Sequence, residues 1–379
     1  MIRLRFTLLA AMLAVLSSTP AGAQRLETDL VLGLGDRHET EDFYRSIGAV
    51  TTDNAGRIYV SEYHGTDIRV YAADGQFLAT LGSRGAAAGE FRVINALGVA
   101  HDGRLVVLDQ INHRFTWFAS DLASFEVTPV PGVSQLYASR IFRLSETEFL
   151  VPQSTYRAGV PDQEQAGLLR IYSRELDRHN GTFGRRLDFS PEDEMGDARL
   201  STRFDYLRPL VLSPDSVLVG EEYHPGHLTL FVRRSGVWGK AGVWRGEPVA
   251  RRYRVLEPPR PGTPMADLPY EAIATMHSGP AGTWYVDVWS TSRGLAHAPG
   301  GGVLHFSYIF DGRRGVFGVE EFSRDGTLLG YHPLQVSRRG EHEVPMSHAQ
   351  LMHQDSSGRL YFRHTEDGAP VVRRMRYVR

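Results

Sequence analysis

The 379-residue chain sets 42 lysines and arginines against 44 aspartates and glutamates, a formal net charge of −2 at pH 7, and contains no cysteine. The near balance argues against general nucleic-acid binding, which needs a basic surface. The missing cysteines exclude disulfides, thiolate nucleophiles and Cys-ligated metals, and a single lysine, Lys240, leaves little room for Schiff-base chemistry.

Residues 1–23 read as a secretory signal. Arg3 and Arg5 give a basic start, Phe6 to Leu16 an apolar run, and Ala21-Gly22-Ala23 a cleavage motif before Gln24. The run falls short of the roughly 20 residues that span a bilayer. The expected location is periplasmic or secreted, with one domain over 24–379 and insertions near 152–166, 185–205, 233–269 and 290–303.

Leu26 to Gly35 is a β-like run. Gly56 to Gly82, GRIYVSEYHGTDIRVYAADGQFLATLG, reads as three strands: Arg57 to Val60, Asp67 to Tyr71 and Gln76 to Leu81, with a hairpin signal at Asp74-Gly75. Such a unit cannot bury a face alone and should pack on copies of itself. Gly35 and Gly82 lie 47 positions apart, as do Gly56 and Gly103. A second copy runs from Gly89 to Phe118. A third has Ile141 to Leu144, Glu148 to Val151 and Leu168 to Tyr172; a fourth has Leu210 to Leu212, Val217 to Val219 and Leu228 to Val232. A fifth is expected from Ala272 to Met276, Trp284 to Val288 and, past a Gly-rich excursion at 294–302, Val319 to Leu329. The last copy ends at Val371 to Val378 with no strand after it, the place residues 26–34 could fill. The count gives an all-β, six-bladed β-propeller closed by pairing of its two ends.

Gly-Arg-Ile-Tyr-Val at 56–60, Asp67-Ile-Arg-Val-Tyr, Asp74-Gly75, and in the second copy Asp109, Asn112-His113-Arg114 and Gly89-Glu90-Phe91 resemble the blades of NHL-repeat propellers. The chain is similar to the bacterial secreted six-bladed propellers with such repeats. That resemblance implies a fold shared by protein- and RNA-binding modules, scaffold subunits and a few lyases or lactonases, so fold alone selects no activity. Asp109 and its neighbours are repeat residues that would brace loops between strands.

Glu62 and His64 follow a strand in blade one, Glu222 and His224 one in blade four. Asp109 and Asp287 end strands in blades two and five. Converging at a channel mouth, they could ligate Ca²⁺ or Zn²⁺, with His64 or His224 moving a proton. Trp238, Trp244, Arg245, Arg251, Arg252 and Tyr253 are residue types favoured at protein interfaces, and Arg373, Arg374, Arg376 and Arg379 form a local basic patch. These features favour a non-enzymatic extracytoplasmic protein-binding or scaffold subunit with no required cofactor. It would dock on a partner such as a membrane complex, touch the membrane only peripherally and bind no nucleic acid. The alternative is a metal-dependent lyase, lactonase or other hydrolase at the channel mouth. A third reading, carbohydrate binding, rests on Trp284 and Trp289 near a strand end.

Overall fold

Short β-rich runs closed by Asp- and Gly-bearing turns leave every strand with two unpaired edges, and the chain resolves this by folding them four at a time into meanders. The computed structural model describes residues 24–33, 44–131, 138, 140–153, 167–185, 188, 207–222, 224–249, 253–256, 273–279, 282–288, 290–310, 314–338, 349–366 and 368–379. The first strand, β1 (Arg25–Leu32), belongs to the last blade. Blade one is β2 (Ala49–Thr52), β3 (Ile58–Ser61), β4 (Ile68–Tyr71) and β5 (Phe77–Leu81). Blade two is β6 (Ile94–Val99), β7 (Leu105–Asp109), β8 (Arg114–Phe118) and β9 (Phe125–Pro129). Blade three is β10 (Phe142–Arg143), β11 (Glu148–Pro152), β12 (Leu169–Ser173) and β13 (His179–Phe183). Blade four is β14 (Leu207–Ser213), β15 (Ser216–Glu221), β16 (His227–Arg234) and β17 (Val237–Arg245). A three-stranded sheet of β18 (Tyr253–Leu256), β19 (Ile273–Gly279) and β20 (Gly282–Val288) comes next. Blade five is β21 (Thr291–His297), β22 (Val303–Phe310), β23 (Arg314–Phe322) and β24 (Leu328–Arg338). Blade six is β25 (Gln350–Gln354), β26 (Leu360–Glu366) and β27 (Ala369–Val378), completed by β1.

The core explains why the inner strands read as nearly unbroken apolar runs. A blade is covered by a neighbour on each side, so both faces of a strand are buried. On β7, Leu105 and Val107 pack with blade one residues Tyr59, Ile68 and Val70. Val106 and Leu108 turn the other way, onto Phe149 and Val151 of blade three. The buried apolar residues fall into six clusters, each spanning a junction between adjacent blades. At about 1.5–3 kcal/mol for each fully buried Val, Leu, Ile or Phe, these junctions supply the main drive to stack blades.

Local chemistry sets the hairpins. Asp53 Oδ1 accepts from the main-chain N–H groups of Ala55 and Arg57, both at 2.9 Å, while Oδ2 accepts from Arg57 Nε at 2.6 Å and Tyr59 Oη at 2.8 Å. Asp355 repeats the device in blade six with Ser357, Arg359 and Tyr361. Gly75, at φ +92°, closes the Asp74 turn, where a Cβ would come within 2.5 Å of Leu30 on β1. The outer turn of blade one therefore lies against the strand that closes the ring.

That strand does what its sequence suggests. β1 pairs antiparallel with β27 from Arg25 opposite Val378 to Leu32 opposite Val372. Leu32 enters the cluster of Tyr44, Val50, Tyr361 and Val372 between blades six and one. Arg374 reaches Asp29 at 2.7 Å and Arg376 reaches Glu27 at 2.9 Å.

Blade five differs from its expected composition. β19 and β20 pair with β18 in a separate sheet, and β14 of blade four touches β21 directly. Residues 253–288 are thus an insertion between two consecutive blades. The Gly-rich stretch expected to be an excursion is a tight hairpin from β21 to β22, closed by Ala298 N to Gly302 O at 2.9 Å. Likewise 237–245, expected within an insertion, is the outer strand of blade four. Residues 1–23 and most of 152–166 and 185–205 lie outside the described residues.

Candidate functional site

The first strand of every blade starts at one end of the ring and the second strand returns there. Six entry segments and the loops after the second strands therefore gather around one mouth of the central channel. They enclose a cavity of about 1040 Å³. Blade one contributes Arg45, Ile47, Tyr63 and His64; blade two Asn95, Gln110 and Ile111; blade three Ala138, Arg140 and Gln153. Blade four gives Leu207 and Arg208, blade five Arg293, and blade six Gln350, Met352, Arg363 and His364. A concave, largely preformed hollow with apolar walls and a few convergent polar groups is the usual form of a small-molecule site.

Its charge is one-sided. Five arginines line the cavity, and no aspartate or glutamate is among the lining residues. Arg208 is buried and ion-paired from behind with Glu222 at 3.1 Å. Arg363 donates to Ile47 O at 3.0 Å and to the Gln350 amide oxygen. Arg140 donates to Leu351 O and meets no carboxylate among the described residues. Burial pushes the Arg140 guanidinium down to about 9, with the positive charges of Arg208 and Arg363 adding to it. Burial lowers Arg293 to about 10; Glu222 opposes the shift, and Arg208 and Arg363 reinforce it. Arg140 and Arg293 still carry their charge at neutral pH, held close to Arg208 and Arg363 at a cost in self-repulsion.

Of the six residues expected to share a metal, the five with described side chains form no metal-binding group. Glu62 accepts from Arg45 N at 2.8 Å and lies 3.9 Å from the Arg69 guanidinium. Asp109, fully buried, accepts from the N–H groups of Arg92, Val93 and Asn112 and from the Asn112 side chain at 2.6 Å. It is the loop brace its repeat position suggests. Glu222 pairs with Arg208, and His224 Nδ1 lies 2.8 Å from Glu221. Asp287 falls on β20, whose side chains lie outside the described residues. Of the five described, only His64 lines the cavity, at φ +57° and stacked on exposed Tyr63 at 3.9 Å. Among the described residues no group of three or more His, Asp or Glu side chains is placed to hold a metal ion. A mouth lined by guanidinium groups does not fit a divalent cation.

Asp109→Ala is expected to lower stability by about 3 kcal/mol, since several part-buried donors lose one buried acceptor at once. Denaturant unfolding measures this, and a loss below about 1 kcal/mol would remove Asp109 from the bracing role.

Several of the expected docking residues have partners within the fold. Trp244 is buried against Phe322, and Trp238 stacks on Phe183 at 4.4 Å with the Arg233 guanidinium 5.3 Å from its ring. Arg373 pairs with Glu366, and Arg374 and Arg376 with the closing strand. Arg379 pairs with Glu321, and Arg245 is exposed. Arg251, Arg252 and Trp289 lie outside the described residues, as do the side chains of Tyr253 and Trp284.

One cluster is invisible in the sequence. Ser292 Oγ lies 2.8 Å from His305 Nε2, and His305 Nδ1 lies 2.5 Å from Glu320 Oε2. Hydroxyl, imidazole and carboxylate stand in the order of an activated nucleophile. All three are wholly buried, so no substrate reaches the hydroxyl. Glu320 also accepts from Glu247 N at 2.6 Å, and Ser292 N donates to Glu222 O at 2.7 Å. The cluster is a polar brace between blades four and five, one residue from Arg293.

No protein-family model matches the chain, and no curated protein matches it in sequence. Among solved structures, a candidate exported protein of Bacteroides fragilis superposes with a TM-score of 0.53 at 10% identity, over 93% of this chain and 96% of its own. A gluconolactonase of Xanthomonas campestris follows at a TM-score of 0.47 and 13% identity, over 95% and 99%. The first likeness carries the fold and nothing finer. By that likeness and its own sheet order, the chain is a six-bladed, all-antiparallel β-propeller.

Proposed function

We propose that this chain is an extracytoplasmic propeller that takes a small-molecule ligand or substrate into the mouth of its central channel. One observation carries the reading: a single cavity lined by residues from all six blades, at the end where entry segments and second-strand loops converge. It keeps the location expected for the enzymatic alternative while setting aside the metal ligands expected there. The basic start and apolar run of residues 1–23 support the compartment, as does the exported protein that shares the fold. The scaffold reading loses ground because Trp244, Arg373, Arg374 and Arg376 are committed to core packing and ring closure.

The test is a thermal-shift panel of neutral and anionic small molecules on the mature chain, repeated with Ile111→Trp, a half-exposed rim position whose enlargement narrows the mouth. At least one chemical class should raise Tm by about 2–5 °C at concentrations well above its Kd. The rim variant should lose that shift while melting like the parent when unliganded. A panel with no shift, alongside a protein partner that crosslinks equally to parent and rim variant, would return the chain to the scaffold class.

A further inference from the structure

Resting on that reading, we infer that the cavity floor is a carboxylate subsite with Arg140 as its central donor, and that the ligand is a polyhydroxylated acid: a sugar acid or the acidic unit of an oligosaccharide. Three independent features point there.

Charge comes first. Arg140, Arg208, Arg293 and Arg363 come from four different blades and press on one another's charge. Confining like charges in a half-buried wall is unfavourable unless an anion joins them. Arg140 has no carboxylate neighbour among the described residues, and a ligand carboxylate would supply the counter-charge. The donors are guanidinium groups, planar forks that match the two oxygens of a carboxylate.

The second feature is a shortage of donors beside that excess of cations. Gln153 faces the same cavity, is 1% exposed, and its buried Oε1 has no hydrogen-bond partner. Asn95 Oδ1 is in the same position, its amide nitrogen being engaged by Gln110. A carboxylate cannot serve these acceptors, whereas ligand hydroxyls can. One ligand that satisfies both walls therefore carries an acid group and hydroxyl groups together. The third feature is the rim. Tyr63, 63% exposed and backed by the stacked His64 ring, offers a flat aromatic face beside the opening, suited to the apolar face of a sugar ring.

Titration calorimetry on the mature chain tests this with galacturonate and gluconate as acid probes, galactose as the neutral ring and galactose 6-phosphate as the competing anion. The acids should bind at least tenfold more tightly than galactose. Arg140→Gln should weaken the acids at least tenfold and leave galactose unchanged; Arg293→Gln provides a second reading if the first variant folds poorly. Arg245→Gln, on the outer strand of blade four, should bind like the parent. The inference is overturned if galactose matches the acids, if Arg140→Gln and Arg293→Gln both bind acids normally, if only the sugar phosphate binds, or if no probe binds. Galactose binding as tight as that of the acids, and blocked by Ile111→Trp, would overturn the carboxylate subsite and leave the small-molecule reading standing. If none of these probes binds, the wider panel decides that reading separately.

Discussion

Glu320→Ala is expected to destabilise the protein by about 3–5 kcal/mol, since two donors lose one buried acceptor at about 1–3 kcal/mol each and a cavity is left behind. The variant strips His305 Nδ1 and Glu247 N of their acceptor at a junction where His305 and Glu320 are wholly buried. Crowding makes the loss worse to repair: the Cα of Gly246 is so close that an added Cβ would lie 2.0 Å from Glu320 Oε1. Glu320→Gln keeps an acceptor for Glu247 N and should lose roughly half as much. Equilibrium unfolding in urea measures both. The effect should also reach the cavity, because Ser292 precedes Arg293 and donates to the main chain of Glu222, whose side chain holds Arg208. A ligand found by the panel should therefore bind more weakly to Glu320→Ala even below its melting point. If Glu320→Ala unfolds within about 1 kcal/mol of the parent, the Ser292–His305–Glu320 cluster is not a brace.

Deleting residues 25–32 is expected to be nearly as costly and to change the oligomeric state as well. Without β1, the outer edge of β27 exposes unpaired N–H and C=O groups along Val372 to Val378. Leu32 also leaves the blade six–blade one cluster. The ion pairs of Asp29 and Glu27 are partly exposed and screened by solvent, so pairing and apolar burial carry the closure. We expect Tm to fall by on the order of 10 °C and size-exclusion chromatography to show aggregates. Leu32→Asp should give a smaller fall with the strand still paired. A truncated chain that stays monodisperse and melts with the parent would show that the ring is closed by something other than β1.

The Asp-x-x-Gly-Arg-x-Tyr hairpins at 53–59 and 355–361 carried their structure in the sequence. Their hydrogen bonds join residues at most six positions apart, so chain order and bond partner coincide. Blade count and ring closure were legible for a related reason: a repeat that ends one strand short calls for that strand from the other terminus. Blade five was misread because β19 and β20 have the same strand-turn-strand pattern as a blade's inner pair. Sheet membership there depends on whether β21 or β19 meets β14, a contact that leaves no local mark.

The functional site shows the same division more sharply. Glu62, Asp109 and Glu222 stood out as repeated carboxylates after comparable strands, yet backbone N–H groups and arginines near them in space consume their acceptors. Arg45, Arg140, Arg208 and Arg293 went unnoticed among 41 arginines. They do share one sequence-level mark, each sitting close to the start of a blade's first strand. By itself the sequence determined the strands, the turns, the six-fold repetition and the closing pair, because those rest on local bonds and period-two burial. Only the tertiary structure decided that four arginines from four blades meet in one cavity, because a ring brings the same position of every blade to the same end however far apart those positions lie in the chain.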